Sequence, residues 1–182
     1  MKYLSIILLL LIAACSGDKD KRVSRDNVRF TTSDASELFF KNVRQTSYEK
    51  QGLAGSNVEI FRLEDRSSDT DHAVMYPAIA LNWAHDEAYI LLETNEFLDS
   101  EDSLVVNWLD PDADNSGKYI FSGGNKEDNF RSAVDIYTSI QDGHEFTIMV
   151  QGEPMPLFSD KEEREVFRKT MLDYFRLVDL IR

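Results

Sequence analysis

The chain contains one cysteine and three histidines, and it is short of positive charge: 20 Lys plus Arg stand against 33 Asp plus Glu, for a formal net charge of −13. One cysteine cannot form an internal disulfide. An excess of acid repels phosphate, and nucleic-acid binding rests on Lys and Arg neutralising the backbone, so that class is set aside. Long apolar runs are missing too. The run Leu4 to Ala14 holds eleven residues, whereas a membrane-spanning helix needs about 20. No repeat with a period of about 20 to 50 residues occurs, and there is no low-complexity tract beyond the N-terminal region. What is present is the material for a core: 42% apolar and 11% aromatic residues in a chain of 182. A chain of this length fits one domain that buries roughly 70% of the surface its unfolded form exposes, and the 29% of charged residues does not make it a disordered polymer.

The N-terminus carries an address. Lys2 precedes the apolar run, which only Ser5 interrupts, and the run stops at Cys15 before the polar stretch Ser16, Gly17, Asp18, Lys19, Asp20, Lys21, Arg22. A secretory h-region needs only about 7 to 15 apolar residues, so residues 1–14 read as a signal peptide. Leu11, Ile12, Ala13, Ala14 and Cys15 resemble the lipobox of bacterial lipoproteins: an aliphatic residue, small residues, then cysteine. The resemblance covers the first 15 residues. It implies that Cys15 receives a diacylglyceryl thioether, that the chain is cut before it, and that the new amine is acylated, with palmitate as the usable label. Several acyl chains exceed the two signals that stable anchoring requires. Ser16 stands where an Asp would resemble an inner-membrane retention signal, which points to the outer membrane, facing the periplasm. Asp18 and Asp20 resemble the acidic surface-export signals of Bacteroidota lipoproteins, but Lys19 and Lys21 interrupt them. Residues 15–27 hold Val23 as their one bulky apolar residue, so they read as the lipidated cysteine and a flexible tether. Residues 28–182 read as a single globular domain. Cleavage removes Lys2, taking the basic residues from 20 to 19 and the net charge from −13 to −14. Such a domain is held by its lipid and not by attraction to an anionic bilayer.

Within the domain, strand signals dominate the middle. Val58, Ile60 and Leu63, the run Ala73 to Trp83, and Ala88 to Leu92 predict strands, the last two joined as a hairpin by Ala84 to Glu87. Leu104 to Trp108 and Tyr119 to Phe121 predict a second hairpin connected by Asp110 to Gly117, and Phe146, Ile148 and Val150 alternate as a further strand. Phe130, Val134, Tyr137 and Ile140 have helical spacing and predict a helix near 125–141 that Gly143 stops. Ser159 with Glu162 reads as a capping box for a helix near 160–181, whose stripe is Phe167, Met171, Tyr174, Val178 and Ile181. Residues 34–48 fit two readings. Asp34 with Glu37 could cap a helix, while Leu38, Phe39, Phe40, Val43 and Tyr48 suit a strand paired with 57–64, and the strand is preferred. Hairpins in sequence with two later helices packing on them predict the α+β class on an antiparallel sheet.

Several constellations could carry chemistry. Asp110, Asp112 and Asp114 at alternate positions resemble the first half of an EF-hand loop, in which such carboxylates bind calcium. The pattern departs at Asn115, where glycine belongs, and at Phe121, where a closing Glu belongs; a solvated hairpin loop accounts for the same residues. His72, His85 and His144 lie far apart in sequence and read as surface or turn histidines. There is no G-x-S-x-G elbow. Ser47 to Lys50 fits S-x-x-K, but so does Ser16 to Lys19. Glu93, Glu96, Asp99, Glu101 and Asp102 could supply a carboxylate pair or simply a solvated acidic loop. Gly123 and Gly124 lack the rest of a phosphate-binding loop. Trp83, Tyr89 and Trp108 serve either the core or a sheet face that captures peptides or sugars. An exposed sheet edge could bind a partner's strand.

These readings converge on a lipid-anchored cell-envelope protein, a non-catalytic module that binds or assembles another envelope protein. The alternatives are an envelope hydrolase using dispersed carboxylates and a calcium-responsive binding module. Beyond its signal the chain resembles small lipoproteins of Bacteroidota in general character, and that resemblance transfers no site residue.

Overall fold

The computed structural model describes residues 21–66, 72–98 and 103–181. Among the described residues eight strands pair antiparallel throughout, and the class is α+β. The strands divide over two sheets of four. In the first, β1 (Tyr48–Gly52), β2 (Val58–Leu63), β3 (Met75–Asn82) and β4 (Glu87–Thr94) lie in chain order. In the second the order is β6, β5, β7, β8, where β5 is Leu104–Asp110, β6 Asn115–Phe121, β7 Glu145–Val150 and β8 Glu153–Leu157. The helices are α1 (Asp34–Phe39), α2 (Lys126–Gln141) and α3 (Lys161–Leu177).

One core joins these parts. Phe61, Ile79, Leu81 and Ile90 of the first sheet meet Phe130, Val134 and Tyr137 of α2, Phe167, Met171 and Phe175 of α3, and Val106, Phe146 and Ile148 of the second sheet. All are buried, at roughly 1.5–3 kcal/mol for each large apolar side chain removed from water. Strand β3 is apolar on both faces, with Ala78 and Ala80 forming a small second cluster with Ile60 on the far side. Pro77 sits within β3 without breaking it. The β2 ladder ends at the Phe61–Ile79 pair, so no ladder donor is missed, and the Pro77 carbonyl accepts from Arg66 at 2.6 Å.

Residues 34–48 do not form the strand preferred from sequence. Ser33 caps α1, accepting from the Ser36 amide, while the Ser36 hydroxyl accepts from the Ser33 amide, and the chain continues through a π-helical turn (Phe40–Arg44) and a 3-10 turn (Gln45–Ser47) before β1 begins. Ser36, Phe40 and Tyr48, four or eight apart, face inward; Leu38, Phe39 and Val43, which suggested a strand, remain in solvent. The expected pairing with 57–64 is met by Tyr48–Gly52 alone.

Helix α3 starts one residue later than the Ser159 capping box implied, because Asp160 supplies the cap, accepting from the Glu162 amide. It ends at Leu177, and Asp179 in the left-handed region (φ 54°) turns the chain. Helix α2 is capped by Asn125 and ends at Gln141, with Gly143 at φ 78° as the stop.

The flexible tether expected over 15–27 is not found from Lys21 onward. The Lys21 carbonyl accepts from the Tyr137 hydroxyl at 2.7 Å, Arg22 pairs with Asp142, Arg25 pairs with Asp135, and Val23 is buried. Farther on, Phe30 and Thr32 hydrogen-bond to Ala88 and Asp86 beside β4. The segment therefore lies along α2 and against the first sheet. No described helix is long and apolar enough to cross a membrane.

Candidate functional site

Cys15 lies outside the described residues, as do Asp99, Glu101 and Asp102. Asp110, Asp112 and Asp114 fall at a tight turn between β5 and β6, shorter than the expected connection of Asp110 to Gly117. Asp110 already pairs with Asn115, and Asp114 takes the left-handed conformation at φ 49°. One Asp110 oxygen accepts the amides of Asp112 and Ala113 at 2.9 and 3.2 Å. Its carboxylate thus stabilises the turn. Among the described residues no three His, Cys, Asp or Glu side chains gather in a way that could hold a metal ion.

Two of the three histidines, expected as surface or turn groups, also make specific contacts. His144 stacks on the Trp108 indole with centroids 4.6 Å apart and planes 12° apart, and its Nδ1 lies 3.1 Å from the Ser139 hydroxyl. His72 Nε2 lies 2.6 Å from the buried Glu163 carboxylate. His85 occupies the β3–β4 turn and is exposed.

The arrangement around His144 sets the second sheet's geometry. Trp108 packs between His144 and the ring of Tyr119, whose hydroxyl lies 2.8 Å from Ser139 of α2. The indole lies over Gly117, where an added Cβ would come within 2.7 Å of it, so only glycine admits this packing. Asp110, His144 and Ser139 form a sequence of polar contacts that superficially suggests a hydrolytic triad. Ser139 is 2% exposed, however, and Asp110 lies 3.9 Å from the histidine, so the serine offers no accessible nucleophile. The contacts fasten α2 to the inner face of the sheet.

With Trp108, Tyr119, Phe146 and Leu157 turned inward, alternation sends the intervening residues outward. Across the ladder these are Ile120, Val105, Met149 and Pro154 in one row, and Lys118, Asn107, Thr147 and Pro156 in the next. Leu109 and Ile120 are 42% and 58% exposed. Beside Leu109 lies a hollow of about 760 Å³ lined by residues that include Asn107, Leu109, Lys118, Thr147 and Pro156. Large apolar side chains beside such a hollow mark a surface suited to recognition. Sequence reading placed β5, β6 and β7 without assigning their outward faces. The signal was available in the alternation of Leu104, Val106 and Trp108 with Val105, Asn107 and Leu109.

The acidic group has a different setting. Glu93 accepts from Arg62 at 2.7 and 2.9 Å and from Arg66 at 2.8 Å. Burial alone would raise its carboxyl, but the hydrogen bonds from Arg62 and Arg66, with their charges, outweigh it and hold the group below the ordinary glutamate value. A general acid for glycoside cleavage needs the opposite shift. A depressed carboxyl stabilises the fold above its unfolded pKa, and that contribution is lost as pH falls through the lower folded value. Thermal stability should therefore decline as pH drops below about 4.5, and Glu93→Gln should decline less steeply over the same range. Equal slopes in the two melting series would contradict this account.

Among the expected aromatics, Trp108 is inward, Trp83 donates its indole N–H to Glu59 while packing on Phe61, and Tyr89 joins the small cluster on the far side of the first sheet. Compared with known proteins, the chain matches no protein-family description, no curated protein and no solved structure.

Proposed function

We propose that this protein is a lipid-anchored component of the bacterial cell envelope, held through Cys15 in the outer membrane and facing the periplasm, and that its domain binds another envelope protein. The observation that carries the binding role is the outward face of the second sheet, where Leu109 stands exposed in the lining of the hollow and Ile120 stands exposed on the same face. Covering the part of each side chain still in water supplies on the order of 1 kcal/mol each, and every 1.4 kcal/mol changes affinity about tenfold. The role assigned to this face is recognition, with no bond-making step.

Affinity capture from detergent-solubilised envelopes tests the reading. The wild type should retain a stoichiometric partner, and the double variant Leu109→Asp with Ile120→Asp should retain at least about tenfold less. Undiminished capture by the double variant would remove the face from the account. Palmitate labelling should disappear in Cys15→Ser, and labelling that persists would refute the anchor.

A further inference from the structure

The two sheets have four outer edges, and they are treated differently. Along β4, the Ala88 amide donates to the Phe30 carbonyl at 2.8 Å and the Leu92 amide to Asn129 of α2 at 3.0 Å, so that edge is covered. Strand β8 carries Pro154 and Pro156, which remove donors at alternate positions and blunt its edge. Strand β1 is five residues long, and its Glu49, Lys50 and Gln51 are polar and exposed. Strand β6 is seven residues long and, among the described residues, its backbone bonds only to β5.

The outward donors of β6 follow from its turn. The β3–β4 hairpin closes on Asn82 and Glu87 with Asp86 at φ 50°, and there the amides of Ala88 and Leu92 point away from β3. The β5–β6 hairpin closes in the same way on Asp110 and Asn115 with Asp114 at φ 49°. By the same alternation, the amides of Ser116, Lys118 and Ile120 point outward, and their side chains lie on the face that bears the hollow.

We infer that the free edge of β6 takes an extended strand of another protein, one with a carboxylate opposite Lys118 and an apolar residue beside Ile120. This rests on the proposed binding role and specifies it: main-chain hydrogen bonds at the edge supply affinity, and the outward face reads alternate side chains. A second copy of this chain is disfavoured as occupant. Two β6 edges paired antiparallel about their centres would set Lys118 opposite its own copy, and each chain carries −13. A carboxylate at that position instead meets the lysine with opposite charge.

The probe is a synthetic peptide of alternating valine and glutamate, compared with one of alternating valine and lysine, titrated into isotope-labelled full-length protein in detergent. Amide exchange at Ser116, Lys118 and Ile120 should slow with the glutamate peptide, and the lysine peptide should need at least about tenfold more for the same effect. Lys118→Glu, which keeps the backbone intact, should reverse this preference, and Lys118→Pro should abolish the response at Ile120. Three outcomes would overturn the inference: no slowing at these amides, equal response to both peptides, or slowing that follows protein concentration without peptide. If the double variant at Leu109 and Ile120 loses its captured partner while the three amides stay unresponsive, the edge falls and the face remains.

Discussion

Replacing Asp173 by alanine is expected to lower the stability of the fold by about 3 kcal/mol, the low end of the range for breaking a buried charge pair. The Asp173 side chain is 1% exposed, and its two oxygens accept from the Arg44 guanidinium at 2.8 and 2.9 Å. The Tyr48 hydroxyl adds a third hydrogen bond at 2.7 Å. Burial, and then the Asp173 charge, push the Tyr48 hydroxyl well above its ordinary value, so it remains a proton donor. Alanine would leave that donor buried without its acceptor and release Arg44, which is exposed enough to regain water and keep the loss at the low end. Since the same cluster ties the π-helical turn and β1 to α3, the first sheet's outer strand should loosen with it. A domain of this size loses about 2–4 °C in Tm for each kcal/mol, which predicts a fall of roughly 6–12 °C. A loss below about 1 kcal/mol in denaturant titration would mean the cluster adds little beyond a surface pair.

Phe158→Ala should cost as much or more, about 3–5 kcal/mol. Its ring stands edge-on to Phe146 of β7, 5.4 Å between centroids, and to Phe167 of α3 at 5.3 Å. It is 1% exposed, and the Phe158 carbonyl accepts from Arg164 at 2.6 Å. This side chain couples the second sheet to the C-terminal helix. The backbone there is left-handed, at φ 55°, a conformation a bulky residue adopts at a cost of about 1 kcal/mol. Packing therefore outweighs strain. Glycine at this position should accordingly be the more stable of the two truncations, by about 1 kcal/mol. Amide exchange should accelerate in β7 and β8 ahead of the first sheet, and uniform acceleration would show that the ring has no special hold on the second sheet.

Both sites illustrate what sequence reveals. Apolar runs and hairpin turns located β2 to β7, and helical spacing located α2 and α3, because those signals depend on neighbours within a few residues. Strand β8 stayed hidden because Pro154 and Pro156 argue against a strand unless its edge is known to be free. Residues 34–47 misled because Leu38, Phe39 and Val43 are apolar yet exposed, while the packing is carried by Phe40 and Tyr48. Division into two sheets was not legible, since pairing of β5 with β7 joins strands on either side of α2. The candidate site was half legible. Trp108 stood out, but its stacking on His144 and the closeness of Gly117 connect residues distant in the chain. Which sheet edges are free depends on contacts such as Asn129 with Leu92, which no local pattern announces.

The binding role proposed for the second sheet is tested most directly by photocrosslinking in living cells, with a photoreactive residue placed at Ile120 and, as comparison, at Leu38. Both positions are apolar and similarly exposed, at 58% and 60%, but Leu38 belongs to α1, outside the second sheet. The account predicts a single adduct of defined mass from position 120 and none from position 38. Adducts of equal yield from both positions, or none from position 120 in protein that reaches the envelope, would contradict it.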